Sequence, residues 1–79
     1  MKVNYVTFYK KDGSLREMKF VELEDLPAEF LDSKIKGVRS SPLPPPFKLV
    51  WDVEVKDFRT YSVHTIVGEI IQKDEMIVL

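Results

Sequence analysis

From residue 47 to residue 55 the chain reads FKLVWDVEV. Phe47, Leu49, Trp51, Val53 and Val55 lie on one parity, and Lys48, Val50, Asp52 and Glu54 on the other. A period of two puts the apolar set on one side of a pleated strand and the mostly polar set on the other. β-Branched and aromatic side chains suit such a half-buried surface. Lys56, Asp57 and Phe58 interrupt the pattern, and Asp favours turns because its carboxylate bonds nearby backbone N–H groups. A second alternating run follows. Arg59, Tyr61, Val63 and Thr65 share one parity, and Thr60, Ser62, His64 and Ile66 share the other. Two such runs joined this closely predict an antiparallel hairpin. Gly68 either ends the second strand or marks a bulge.

The rest of the chain supplies partners for that hairpin. Residues 2–10 alternate with Val6 and Phe8 on one parity and Tyr5, Thr7 and Tyr9 on the other, so both faces are expected to be partly covered. Lys11, Asp12, Gly13 and Ser14 form a turn in which Gly supplies the positive φ. Residues 15–21 return as a strand. Residues 22–33 are acidic and include Pro27, which is tolerated at a first helical position. Glu29 then sits favourably in the first turn, and Leu26, Phe30 and Leu31 predict one short helix pinned to the sheet.

Residues 34–46 are basic and then proline-rich. They read as a stiff connector, or as a polyproline ligand of the PxxP kind through Pro42, Leu43, Pro44 and Pro45. At the end, Asp74 and Glu75 predict a turn. Met76 to Leu79 predict a final strand that closes a barrel or stays exposed to pair with another subunit. Five short strands, one small helix and tight hairpins in 79 residues predict a mainly β fold, a small bent barrel forming a single domain over residues 1–79.

Composition removes several function classes. A core in a chain of this length supplies about 3–5 kcal/mol of net stability. With no Cys there are neither disulfides nor thiolate metal sites, which fits a reducing compartment and a soluble cytoplasmic protein. The net charge of -1 offers no global field for nucleic acid. No apolar run approaches the roughly 20 residues of a spanning helix, so no membrane partner is expected. The glycines, at 13, 37 and 68, cannot cradle a phosphate together, and no cofactor motif is present. His64 is the single histidine and has no nucleophile context. Asp52 and Glu54 share a strand parity and read as a solvated pair balanced by Lys48 and Lys56, not as an acid and base. The chain is therefore expected not to be an enzyme.

The candidates for binding are cations beside aromatics. Arg59 and Tyr61 share a parity, and Arg can bond phosphate bidentately while an aromatic ring stacks on a base. Arg16 and Lys19, with Lys10 and Lys11, could join them from the first hairpin. The alternative for Arg59 is a salt bridge to Asp57 or Asp52. Trp51 is either a core anchor or an aromatic platform.

These residues also carry a resemblance. Lys11-Asp12-Gly13 followed by Leu15-Arg16, and Val50-Trp51-Asp52 followed by Phe58-Arg59-Thr60-Tyr61 and Ile66, are similar to the WYL-like small-barrel proteins. These are often short proteins of phage and bacterial genomes with an Sm-like, SH3-like β-barrel. The likeness spans residues 5–66. Larger WYL domains of bacterial transcription regulators carry a similar Phe-Arg-x-aromatic strand, whose Arg belongs to a surface that senses ligands or nucleic acids. The resemblance implies a five-stranded barrel, with Arg59 and Tyr61 as binding residues. The Trp-Tyr-Leu triplet that names the family is absent, with Leu49-Val50-Trp51 near its place, and no helix-turn-helix accompanies the barrel.

Two functions follow as expectations. The first is a binding module for single-stranded nucleic acid or a small anionic ligand, with Arg59, Tyr61, Arg16, Lys19 and Trp51 as its contacts, in a phage or bacterial regulatory setting and, if phage-encoded, the host cytoplasm. The second is a protein-interaction module that binds a host protein or itself through an exposed edge strand or the proline loop.

Overall fold

The computed structural model of the chain describes residues 1–34 and 44–79. Its elements are β1 (Lys2–Tyr9), β2 (Leu15–Glu22), a 3-10 turn (Leu23–Asp25), α1 (Ala28–Lys34), β3 (Phe47–Asp52), β4 (Asp57–Ser62), a second 3-10 turn (Val63–Thr65) and β5 (Ile71–Asp74). Five antiparallel strands lie in the order β4-β3-β2-β1-β5. Among the described residues the fold is mainly β, as the alternation predicts, with one short helix after Pro27. The first two residues of the PxxP pattern, Pro42 and Leu43, lie outside the described residues.

The β1–β2 hairpin forms as expected. Gly13 takes φ +87°, and the Asp12 carboxylate accepts from the Ser14 amide at 2.9 Å and from its hydroxyl at 2.6 Å. That turn sets Tyr9 opposite Leu15 and Asn4 opposite Phe20. Even positions of both strands, Val6, Phe8, Met18 and Phe20, form one core with Val50 and Tyr61. Val3 and Val21, on the other parity, form a second core with Leu26 and Trp51. Both faces of the sheet are covered, so the aromatics on both parities of β1 have a physical reason.

The β3–β4 turn comes earlier than the break in alternation suggests. β3 ends at Asp52 rather than Val55, and Asp57 and Phe58 belong to β4. The cause is the Asp52 side chain, only 1% exposed, which accepts from the Glu54 amide at 2.9 Å and the Val55 amide at 3.2 Å. The Asp52 carbonyl accepts from Lys56 at 2.8 Å, and Lys56 closes the turn at φ +55°. Phe58 then faces Trp51 across the ladder. The pairing of Asp52 and Glu54 as one solvated face is thus corrected, and Lys48 pairs instead with Glu22 at 2.7 Å.

β4 also ends sooner than expected, at Ser62. The Ser62 hydroxyl accepts from the His64 amide at 3.3 Å, and its carbonyl accepts from the Thr65 hydroxyl at 2.8 Å. His64 therefore sits exposed on a 3-10 turn, not on a strand. The turn swings the chain across to β1, where Ile66 bridges Phe8 and the Val67 amide donates to the Thr7 carbonyl at 2.8 Å. Further along, Ile71 faces Tyr5. Three steps along β1 thus match five along the returning chain, so two residues bulge out around Gly68, which has φ +77°.

The last strand is β5, so the strand expected at Met76 to Leu79 is corrected. Those residues join no ladder, and Asp74, expected in a turn, ends β5. Ile77 and Leu79 pack on the Trp51 core, while Met76 and Val78 point outward at 101% and 81% exposure. The alternation of this segment serves packing on that core rather than a ladder. β4 and β5 form the two edges of the sheet and do not pair with each other. The sheet is nonetheless strongly bent: the rings of Phe8 on β1 and Tyr61 on β4 meet at 5.9 Å with β2 and β3 between those strands in the sheet.

The helix follows Pro27, whose carbonyl accepts from the Leu31 amide at 3.0 Å. It lays Phe30 edge-on against Trp51 at 4.9 Å, and Phe58 meets the indole at 5.0 Å from β4. Among the described residues no helix is long and apolar enough to cross a membrane.

Candidate functional site

The five residues expected to bind together do not form one surface. Trp51 and Tyr61 are 2% and 3% exposed. The indole is gripped by Phe30 and Phe58, and the phenol by Phe8 and Phe20. Neither ring presents a face on which a base can stack, which corrects both as surface contacts. Among the described residues their polar atoms, Trp51 Nε1 and the Tyr61 hydroxyl, have no hydrogen-bond partner, and burial pushes the Tyr61 hydroxyl above its ordinary pKa.

Arg16 and Arg59 do share a sheet face with Tyr61, as their register shows. Each has a carboxylate partner. Arg16 Nη2 lies 2.5 Å from Asp52 Oδ2, at the floor of the β3–β4 turn. Arg59 Nη1 donates to Asp57 at 3.2 Å and to the Phe58 carbonyl at 2.8 Å. The Phe58 amide and the Arg59 guanidinium hold the Asp57 carboxyl below its ordinary value. Lys19 and Trp51 lie on the opposite face.

Lys19 belongs to a different cluster, which the register of β1 with β2 and β5 assembles. Tyr5 faces Lys19 on one side and Ile71 on the other. The Tyr5 hydroxyl donates to Glu75 Oε2, and Lys19 Nζ lies 3.3 Å from Glu75 Oε1. The ammonium groups of Lys19 and Lys73 lie 5.6 and 5.3 Å from the centre of the Tyr5 ring. The hydrogen bond to Glu75 raises the Tyr5 pKa, and the same bond lowers that of Glu75. Glu75 likewise raises Lys19.

Beside this cluster runs an open groove of about 470 Å³. Tyr5, Thr7 and Ile71 line it from β1 and β5, and Glu17 and Lys19 from β2. The β3–β4 turn contributes Glu54, and the bulge after Val67 contributes Glu69. None of these three glutamates has an ion pair among the described residues, whereas the one lysine is engaged by Glu75. The groove is therefore acidic. Nothing local in the sequence marks it, because its carboxylates come from three separate segments that only the fold unites. The placement of Tyr5 opposite Lys19, by contrast, could have been counted outward from the Asp12-Gly13 turn.

Along the groove's outer side lies β5, all four of whose side chains are exposed. Met1 and Glu75 exchange backbone bonds, the Glu75 amide donating at 2.9 Å and the Met1 nitrogen at 3.0 Å. Antiparallel alternation then turns the backbone of Lys73 and Ile71 toward β1 and that of Gln72 and Asp74 outward. Among the described residues no strand pairs with that outer edge. No group of three or more His, Cys, Asp or Glu able to hold a metal ion occurs among the described residues. No family model, no curated protein and no solved structure matches the chain.

Proposed function

We propose that this chain is a non-enzymatic protein-interaction module, a small barrel of the Sm-like and SH3-like type, that takes an extended segment of a partner protein alongside β5. The observation that carries the reading is the free edge of β5, with the Gln72 and Asp74 backbone directed outward and Ile70 and Ile71 exposed beside it. An added strand gains main-chain hydrogen bonds for affinity and uses flanking grooves for side-chain choice. The barrel reading is supported by the bend that brings Phe8 onto Tyr61 and by the Ile66 bridge to Phe8. It is in keeping with the resemblance to WYL-like small-barrel proteins. Binding of single-stranded nucleic acid or a small anionic ligand has less support, because both arginines are held by carboxylates and both rings are covered.

An amide NMR titration compares the two. Mixed-sequence single-stranded RNA and DNA at low salt are expected to leave the spectrum unchanged. Peptides selected on the chain from a random library are expected to shift residues 71–74. Salt-dependent shifts around Arg16 and Arg59 with nucleic acid, and none at β5 with peptides, would overturn the proposal.

A further inference from the structure

Resting on that reading of β5, we infer that the segment it takes is β5 of a second copy of this chain, in a two-fold antiparallel pairing centred on Ile71.

Backbone parity narrows the ways in which two copies can meet. Gln72 and Asp74 direct their backbone groups outward, while Ile71 and Lys73 direct theirs to β1. In an antiparallel ladder a residue that exchanges bonds faces one that does the same. Two copies of β5 related by a two-fold axis therefore set one residue opposite itself. Centred on Lys73, the pairing opposes two ammoniums. Centred on Asp74, it opposes two carboxylates. Like charges directly opposite are destabilising. Centred on Gln72, it sets Ile71 against Lys73 and Ile70 against Asp74, an apolar side chain against a charge each time.

The register centred on Ile71 is self-complementary. Ile71, 57% exposed, meets Ile71 of the second copy. Lys73 of each copy meets Glu69 of the other, so two opposite-charge pairs flank the apolar contact. Neither charge is used up within one copy, because among the described residues neither Lys73 nor Glu69 has an ion pair. The Lys73 ammonium lies over the Tyr5 ring, and Glu69 lines the groove with Tyr5 and Ile71. Both charges thus lie on the side of the sheet that carries Ile71. The main chain fits the same register. The Ile71 N–H turns to β1, so the trans peptide turns the Ile70 carbonyl outward. The Gln72 N–H of each copy then donates to the Ile70 carbonyl of the other. A contact of one short strand on each side falls below the roughly 1,200 Å² of a stable interface, so the dimer is weak and depends on concentration.

Sedimentation of the unaltered chain from about 10 μM to about 1 mM is expected to show a monomer passing into a dimer. Amide shifts over the same range should centre on residues 69–74. Lys73→Glu and Glu69→Lys should each weaken self-association about tenfold, because each sets like charges opposite one another twice. An equal mixture of the two variants should recover it, since one copy then carries both acids and the other both bases. Ile71→Cys gives a readout that does not depend on charge, in a chain that has no other cysteine. Facing Cα atoms about 4.5 Å apart admit a disulfide, so oxidation should link two copies through that position. Lys73→Cys should not link, and linking there in place of Ile71→Cys would overturn the register. A chain that stays monomeric at about 1 mM, or a dimer whose shifts lie away from residues 69–74, overturns the inference. Selected peptides that still shift residues 71–74 would then leave the edge reading standing without it. If no peptide does so either, both fall. Sedimentation and shift mapping need no variant, so a substituted chain that fails to fold does not remove the test.

Discussion

Asp52 holds two turn amides and the Arg16 guanidinium, all from a position 1% exposed. Its alternation places it on the polar parity of β3, and nothing local in the sequence marks that parity as buried. The burial comes from Phe20, which pairs with it from β2, and from the turn that folds over it. Arg16 is one-third exposed, so water shields part of the pair. Asp52→Ala is expected to cost about 2–3 kcal/mol, because two amides lose their acceptor and a half-buried guanidinium loses its counter-charge. Urea unfolding measures it. Arg16→Ala should also lower the midpoint, since a buried carboxylate is left with amide donors alone. Arg59→Ala should change stability by less than about 1 kcal/mol, its pair with Asp57 being solvent-exposed. Arginines held in place only for a ligand would both leave the midpoint unchanged, so the contrast between the two mutants separates a structural Arg16 from a free one.

At the scale of elements, the two hairpins show what a sequence can and cannot reveal. The Asp12-Gly13 turn is legible because Gly stands where φ is +87°. The β3–β4 turn hides the same requirement under a lysine: Lys56 at φ +55° carries a Cβ where one is unwelcome, so the alternation alone places the turn downstream of its true position. A β-branched residue there should be costlier still, with Lys56→Val lowering stability by about 1–2 kcal/mol in thermal melts and Lys56→Gly by no more than about 0.5 kcal/mol. The short 3-10 turn after β4 was likewise hidden, because Ser62 and Thr65 read as ordinary strand residues until their side chains cap the backbone. Residues 76–79 alternate like a strand yet join no ladder, and the Val78 carbonyl accepts from Lys56 Nζ at 2.9 Å. Their Ile77 and Leu79 lie on the Trp51 core, so removing residues 76–79 is expected to lower the melting temperature rather than simply dissolve an oligomer. The apolar parity of Trp51 leaves a core anchor and an aromatic platform both open, its 2% exposure makes it an anchor, and Trp51→Ala should cost about 3–5 kcal/mol.

For the whole molecule, the strand content was legible from period-two alternation, whereas the acidic groove was not, because it depends on which strands become neighbours. The same long-range register ties the fold to pH. Glu75, Asp74, Asp57 and Asp12 are held below their ordinary values by the Tyr5 hydroxyl, the Met1 ammonium, the Phe58 amide and the Ser14 hydroxyl respectively. A lowered folded pKa contributes stability that is present above the unfolded value and lost as pH falls through the folded one. The acid limb should therefore begin near the ordinary carboxylate values of 3.8 and 4.5 and continue below them. Tyr5 and Lys19 are raised, chiefly by Glu75, so their contribution is present below their ordinary values of 10.0 and 10.5 and is lost as pH climbs past them. Glu75 appears in both limbs and joins β1, β2 and the segment after β5. Glu75→Gln is thus expected to lower the urea midpoint at neutral pH while making both its acid and its alkaline decline shallower. Urea midpoints from pH 2 to 11 would show it, and limbs as steep as those of the unaltered chain would mean that Glu75 does not couple the two strands to the segment after β5.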